Sequence, residues 1–201
     1  MPPEPASIID HALRRVVRRV AFLNLGYFGV EFVVALAIGS VALFADSIDF
    51  LEDASLNLLV AAALGWSARS RARLGMGLAG LLLVPGLATL WQAAAKLQAP
   101  LPPAPLPLSL AALGALWVNL ACALMLARIR HHRGSLTKAA FLSARNDTLA
   151  NLAIIAAALV TAFLWRSAWP DLVVGLAIAA INADAARAVW QAARSEHGAA
   201  G

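Results

Sequence analysis

The chain has 201 residues, 61% of them hydrophobic and only 13% charged, with a formal net charge of +5 and a mean hydropathy of +0.75. That apolar fraction excludes a water-soluble domain and predicts an integral membrane protein. The apolar residues come in continuous runs rather than in two-residue alternation, which excludes a membrane β-barrel and predicts an all-α, polytopic, six-transmembrane-helix bundle. The sequence pI near 10.6 does not imply nucleic-acid binding, because the basic residues flank the apolar runs, where they set topology.

Residues 1–19 read as a short polar segment ending in Arg14, Arg15, Arg18 and Arg19, with no leading apolar core of the kind a cleavable signal peptide carries. The first span is expected over residues 20–38 and holds Asn24 and Glu31. Gly39 and Ser40 leave room for only a tight turn into the second span, residues 41–66. The third span is expected over 74–97 and contains Pro85, tolerable where a neighbouring helix satisfies the freed carbonyl. Residues 98–107, QAPLPPAPLP, read as a stiff extended loop. The fourth span is expected over 108–127 and the fifth over 138–164, joined by a basic connection with His131 and His132. A short turn, WRSAWPD, leads to the sixth span over 171–191, which bears Asp184 and Arg187, read as a surface pair. Residues 192–201 are expected to form a short cytoplasmic tail, and no cytoplasmic domain is expected. Cys122 is the only cysteine and lies in an apolar run, so it reads as packing.

Six spans put both termini on one side. Arg14, Arg15, Arg18, Arg19, Arg69, Arg71, Arg73, Arg128, Arg130, Arg133, Lys138, Arg187 and Arg194 fall on that side, and only Lys96 and Arg166 fall opposite. This asymmetry predicts cytoplasmic termini in an inner or plasma membrane. Trp66, Trp165, Trp169 and Trp190 sit at expected span ends, as an aromatic belt would.

The second span is the most unusual of the six for a membrane helix. It carries Asp46, Asp49, Glu52 and Asp53 at membrane depth, where an ionised carboxylate costs on the order of 3 kcal/mol by insertion scales. Residues at i, i+3 and i+7 share one face of a helix, so Asp46, Asp49, Asp53 and Asn57 form a polar stripe, with Glu52 to the side. Converging carboxylates in a dry place call for a divalent cation, a proton or a basic side chain. The fifth span offers Ser143 and Asp147 one turn apart, with Asn146 adjoining that face and Arg145 pointing away, available to pair with Glu52. At 1.5 Å per residue, Asp49 and Asp53 lie roughly 12 and 18 Å below one surface and Asp147 roughly 14 Å from the other. Both sets fall near the middle of a ~30 Å hydrocarbon core. Antiparallel helices could thus present Asp49, Asp53, Asp147 and Ser143 to one point, an oxygen-rich site for a divalent metal.

SVALFADSIDFLEDA resembles the second transmembrane helix of the cation diffusion facilitators, whose pattern reads roughly A-D-x-x-[HD]-x-x-x-D, and FLSARNDTLANLA resembles their fifth, where [HD]-x-x-x-D supplies the other half of the site. Asn24 and Glu31 stand where that family also has polar residues in its first helix. The resemblance covers essentially all six spans and implies a divalent-metal/proton antiporter that works by alternating access. It implies Asp49, Asp53 and Asp147 as metal ligands, with Ser143 in a place usually held by His or Asp. A serine hydroxyl is a weak neutral ligand, so water or Asn146 could complete the set. The expected cargo is Zn2+ or the similar Cd2+, and losing the nitrogen ligand relaxes preference to take in Mn2+, Co2+ or Fe2+ as well. Asp46, Asn146, Glu31 and Asn24 are expected as proton relay or supporting residues. No organic cofactor is expected; the partners are the bilayer, protons as counter-ion and a second copy of the chain, paired through the spans, since the family's cytoplasmic dimerisation domain is not expected here. Two other classes stand beside this reading. A transporter-derived, non-transporting membrane partner would keep the spans without flux. An intramembrane aspartyl enzyme would also place two Asp on facing spans, but its G-x-G-D stretch is missing at both Asp49 and Asp147.

Overall fold

A computed structural model describes residues 5–63, 87–128 and 134–199. The helices are α1 (Pro5–Ile38), α2 (Val41–Ala63), α3 (described over residues 87–98), α4 (Pro105–Ala127), α5 (Gly134–Phe163) and α6 (Trp169–Ala199), and no strand occurs among the described residues. The protein is an all-α membrane bundle. By length and composition, Leu13–Ile38, Pro105–Ala127 and Asn146–Phe163 can each cross a bilayer, and Trp169–Ile181 is a shorter apolar helix. Exposed side chains such as Trp117 and Phe163, 70% and 82% accessible, give the bundle an apolar exterior suited to lipid.

Several boundaries differ from those expected, each for a local reason. The expected polar lead is part of α1, because Leu13, Val17 and Val20 repeat at helical spacing and are buried while Arg14, Arg15, Arg18 and Arg19 stay exposed. Pro105 and Pro107 belong to the first turn of α4, where a missing N–H costs nothing. The α5 helix begins at Gly134, before the expected residue 138, so the α4–α5 connection is shorter than read. The α6 helix continues through the expected tail to Ala199, over a stretch rich in alanine and other good helix formers. Most of the expected third span, with Pro85, lies outside the described residues, as do His131 and His132.

The α1–α2 connection is a two-residue device. Gly39 takes a positive φ of 64°, and Ser40 N–H donates to Ala35 O at 3.1 Å, the Schellman arrangement that ends a helix. Ser40 then caps the next helix, its hydroxyl accepting from Leu43 N–H at 3.0 Å. The two helices are thereby locked antiparallel, and α1 packs mainly on α2 while α4 packs mainly on α5.

Helix α2 is the axis of the molecule. It touches α1, α4, α5 and α6, and Val41 joins Ala93 of α3 in a small cluster with Ala168 and Leu172. The main core gathers Ala42, Leu43, Ala45 and Ile48 of α2 with Ala35, Leu108, Ala112, Ile154, Ala158 and Ile178. At the other end, Leu13, Val17 and Val20 of α1 meet Ala61 of α2 and Cys122 and Leu126 of α4.

Close approach is required where α6 crosses α2. A Cβ on Gly175 would stand 2.6 Å from Ala42 N and 2.7 Å from Val41 C, both backbone atoms that cannot rotate away. Gly175→Ala is therefore expected to force the helices apart and destabilise the bundle by about 1–3 kcal/mol, as overpacking does. A lowered unfolding midpoint in detergent checks this; an unchanged one would contradict the packing described.

Candidate functional site

The acidic stripe of α2 is inside the bundle. Asp46 is fully buried, Asp53 and Asn57 are 5% and 2% exposed, and Asp49 keeps some accessible surface between them. Glu52, expected to the side, is buried as well, at 7%. The Arg145 side chain proposed as its partner lies outside the described residues, and so does that of Ser143.

Polar side chains from α1, α2 and α5 form two tiers. Asn24 and Glu31 are seven residues apart on α1, as are Asp46 and Asp53 on α2. Seven residues are two helical turns, about 10 Å, so equal spacing on antiparallel neighbours puts both pairs at matching depths on facing sides.

In the central tier, Asn24 Nδ2 donates to Asp53 Oδ2 at 3.4 Å, and the Asp147 carboxyl of α5 lies within hydrogen-bonding reach of Asp53. Cys122 of α4 donates its thiol to Asn24 Oδ1 at 3.5 Å. The cysteine thus does more than pack, since it holds the amide that faces Asp53. Asn57 Nδ2 donates to Asp53 O at 2.8 Å.

The second tier is nearer the α1–α2 turn. Glu31 approaches Asp46, and Asn151 of α5 donates from Nδ2 to Asp46 Oδ1 at 3.4 Å and to Asp147 O at 2.9 Å. Tyr27 lies alongside, its hydroxyl donating to Ala111 O at 2.7 Å and its ring 5.2 Å from that of Phe50.

Asp49 stands between the tiers, close enough to Asp147, Asp46, Glu52 and Asp53 to feel their charge. The residues expected to support the site divide. Asn24, Glu31 and Asp46 are fully buried within it, whereas Asn146 is exposed. The reason is angular: Asn146 is 100° round the helix from Asp147, while Asn151, one turn on, returns to the same face. Asn151 is the site residue that sequence reading passed over, and its i+4 relation to Asp147 was the available signal.

Among the described residues, no group of three or more His, Cys, Asp or Glu side chains is drawn together closely enough to hold a metal ion. The central tier pairs Asp53 with Asp147 and leaves Asp49 to one side of that pair.

A second polar centre, also unforeseen, lies at the α2 and α6 N-termini. Asp171, expected in a turn, is in the first turn of α6 and fully buried. It accepts from Lys96 Nζ at 2.8 Å, Ser40 Oγ at 2.5 Å, Val41 N–H at 2.8 Å and Ala42 N–H at 3.3 Å. Lys96 also donates to Gly39 O at 2.5 Å. Lys96, read as a flanking topology charge, is thus a buried cross-link of α3, α6 and the α1–α2 turn. Asp184 and Arg187, read as a pair, are both exposed, and the ion pair found among the described residues is Lys96–Asp171.

A bundle of apolar helices with carboxylates gathered on an internal stripe is the class of membrane protein in which such groups mark a path for ions or protons. Comparison by family model gives the cation efflux transmembrane domain, matched over residues 17–195. The chain belongs to the cation efflux family, the cation diffusion facilitators, a family of transporters, and is a metal-cation efflux transporter. The comparison with curated proteins gave no match.

Proposed function

We propose that the chain exports a divalent metal, Zn2+ foremost and Mn2+, Co2+ or Fe2+ after it, in exchange for protons. The observation that carries this reading is the apposition of Asp53 on α2 with Asp147 on α5, inside a membrane bundle and with Asp49 beside them. In this reading Asp49, Asp53 and Asp147 bind the metal, with the Ser143 hydroxyl as fourth ligand, and Asn24 orients Asp53 through its amide. Divalent charge makes the closing of Asp49 onto the other two carboxylates favourable, because it replaces their mutual repulsion with attraction.

The cytoplasmic side is the end where α1 begins and α4 ends. Arg14, Arg15, Arg18, Arg19 and Arg128 are exposed there, which supports that orientation under the positive-inside rule. Cytosolic metal meets ionised carboxylates from that end. The bundle then reopens to the other side, protons compete for the same oxygens, and the metal leaves. Returning protonated spares the empty site the cost of moving bare charge through a low-dielectric path.

Cells lacking their own zinc exporters and expressing the chain are expected to hold less zinc than control cells, and Asp49→Ala at equal membrane abundance is expected to restore the control level. Zinc content lowered equally by both forms would contradict the ligand assignment.

A further inference from the structure

The tier beside the α1–α2 turn has a property that the central tier does not explain. Both oxygens of Glu31, Oδ2 of Asp46 and Oδ1 of Asn151 are buried, and no donor among the described residues reaches any of them. Glu31, Asp46 and Asn151 are each 0% exposed. All four orphaned atoms are acceptors, and they belong to three side chains from three different helices, Glu31 and Asn151 each meeting Asp46. Buried polar atoms are almost always paired, so a group of acceptors lacking donors marks a place where something positive or protic belongs.

Among the described residues, the nearby donors are already committed. The Tyr27 hydroxyl is given to Ala111 O, and the Asn151 amide nitrogen to Asp147 O and the other Asp46 oxygen. Lys96 is held in its own ion pair with Asp171. Two carboxylates and one amide carbonyl, with no nitrogen or sulfur ligand, make a donor set for a hard cation. A divalent ion matches the two negative charges, whereas a monovalent ion would leave one of them uncompensated in a dry place.

We propose that Glu31, Asp46 and the Asn151 carbonyl form a second cation-binding position, separate from the central tier, which takes a hard, oxygen-preferring divalent ion of the Mn2+ class. Its binding capacity follows from the orphaned oxygens alone; its place as a station on the transport path rests on the function proposed above. Asp49, lying between the tiers, is within electrostatic reach of Asp46 on one side and of Asp53 and Asp147 on the other, and so links the two positions.

The test is Mn2+ binding to the full chain in detergent, with free Mn2+ counted by its electron paramagnetic resonance signal. Wild type is expected to bind two Mn2+ per chain. Glu31→Gln, an isosteric change, and Asp46→Asn are each expected to remove one and leave the other, and Asp53→Asn is expected to remove the complementary one. Glu31→Asp, which keeps the charge but shortens its reach, is expected to weaken one Mn2+ at least tenfold and to show that loss of the ion is not loss of the fold. Full Mn2+ stoichiometry in both Glu31→Gln and Asp46→Asn, or a single Mn2+ in wild type that only Asp53→Asn removes, would overturn the second position and leave the central site standing. Stoichiometry unaffected by Asp53→Asn, with one ion lost in Glu31→Gln, would keep the second position and overturn the central one.

Discussion

Asp171→Ala is expected to be the most destabilising single substitution in the described parts of this protein. The carboxylate accepts from four donors, namely Lys96 Nζ, Ser40 Oγ and the Val41 and Ala42 amides, and it is fully buried. Removing it leaves the Lys96 ammonium, 9% exposed, with only the Gly39 carbonyl as partner. Breaking a buried pair by deleting one member costs about 3–5 kcal/mol, since the remaining charge stays desolvated. Uncapping α2 adds to this, because the Asp171 side chain satisfies amides that no residue within α2 can reach. Lys96→Met should cost less. It leaves a carboxylate that still accepts two N–H bonds and a hydroxyl at a helix N-terminus, where negative charge is favoured. Combining the two changes should cost less than their sum. Thermal unfolding of the detergent-solubilised protein, followed by loss of the monodisperse peak, ranks the variants. Asp171→Ala unfolding at the wild-type temperature would show that the interlock contributes nothing.

Asp53→Ala and Asp147→Ala are expected to lower the metal-transport rate by more than about 100-fold each, since even outer-sphere partners of a bound metal are worth 10–100-fold in affinity or activity. The double substitution should be little worse than either alone, because the two carboxyls act on one ion. These are not stability effects. Each change relieves repulsion between buried carboxylates, so the variants should insert and unfold like wild type or slightly later. Metal uptake into inside-out vesicles, normalised to membrane abundance, separates the two outcomes. Uptake within a few-fold of wild type in either variant would remove that residue from the site.

How much of this was legible in the sequence depends on the distance over which residues act. The central place of α2 could be read, because four acids in an apolar run demand surroundings that only an interior helix has. The α1–α2 turn could be read from Gly39-Ser40, whose backbone and capping roles are local. The alignment of Asn24 with Asp53 and of Glu31 with Asp46 was implicit in two equal spacings, seven residues each, on adjacent antiparallel helices. What stayed hidden was long-range pairing. Lys96 and Asp171 are 75 residues apart, and each alone looks like an interfacial charge. Only the meeting of α3 and α6 at the start of α2 makes them a buried pair. Asn146 adjoins Asp147 in sequence, whereas the buried asparagine on the Asp147 face is Asn151, one helical turn on. Helices α1 and α6 run beyond the apolar spans read from the sequence, because a helix continues past the bilayer where its residues favour it.

Zinc-driven proton movement in proteoliposomes tests the central claim most directly, with a trapped pH indicator and the reconstituted full chain. An inward zinc gradient is expected to drive protons out of the lumen, at a rate that saturates with zinc, and Asp53→Ala and Asp147→Ala liposomes are expected to show only the leak of protein-free vesicles. Zinc entry without proton movement would contradict exchange, and equal proton movement in wild type and both variants would contradict the site.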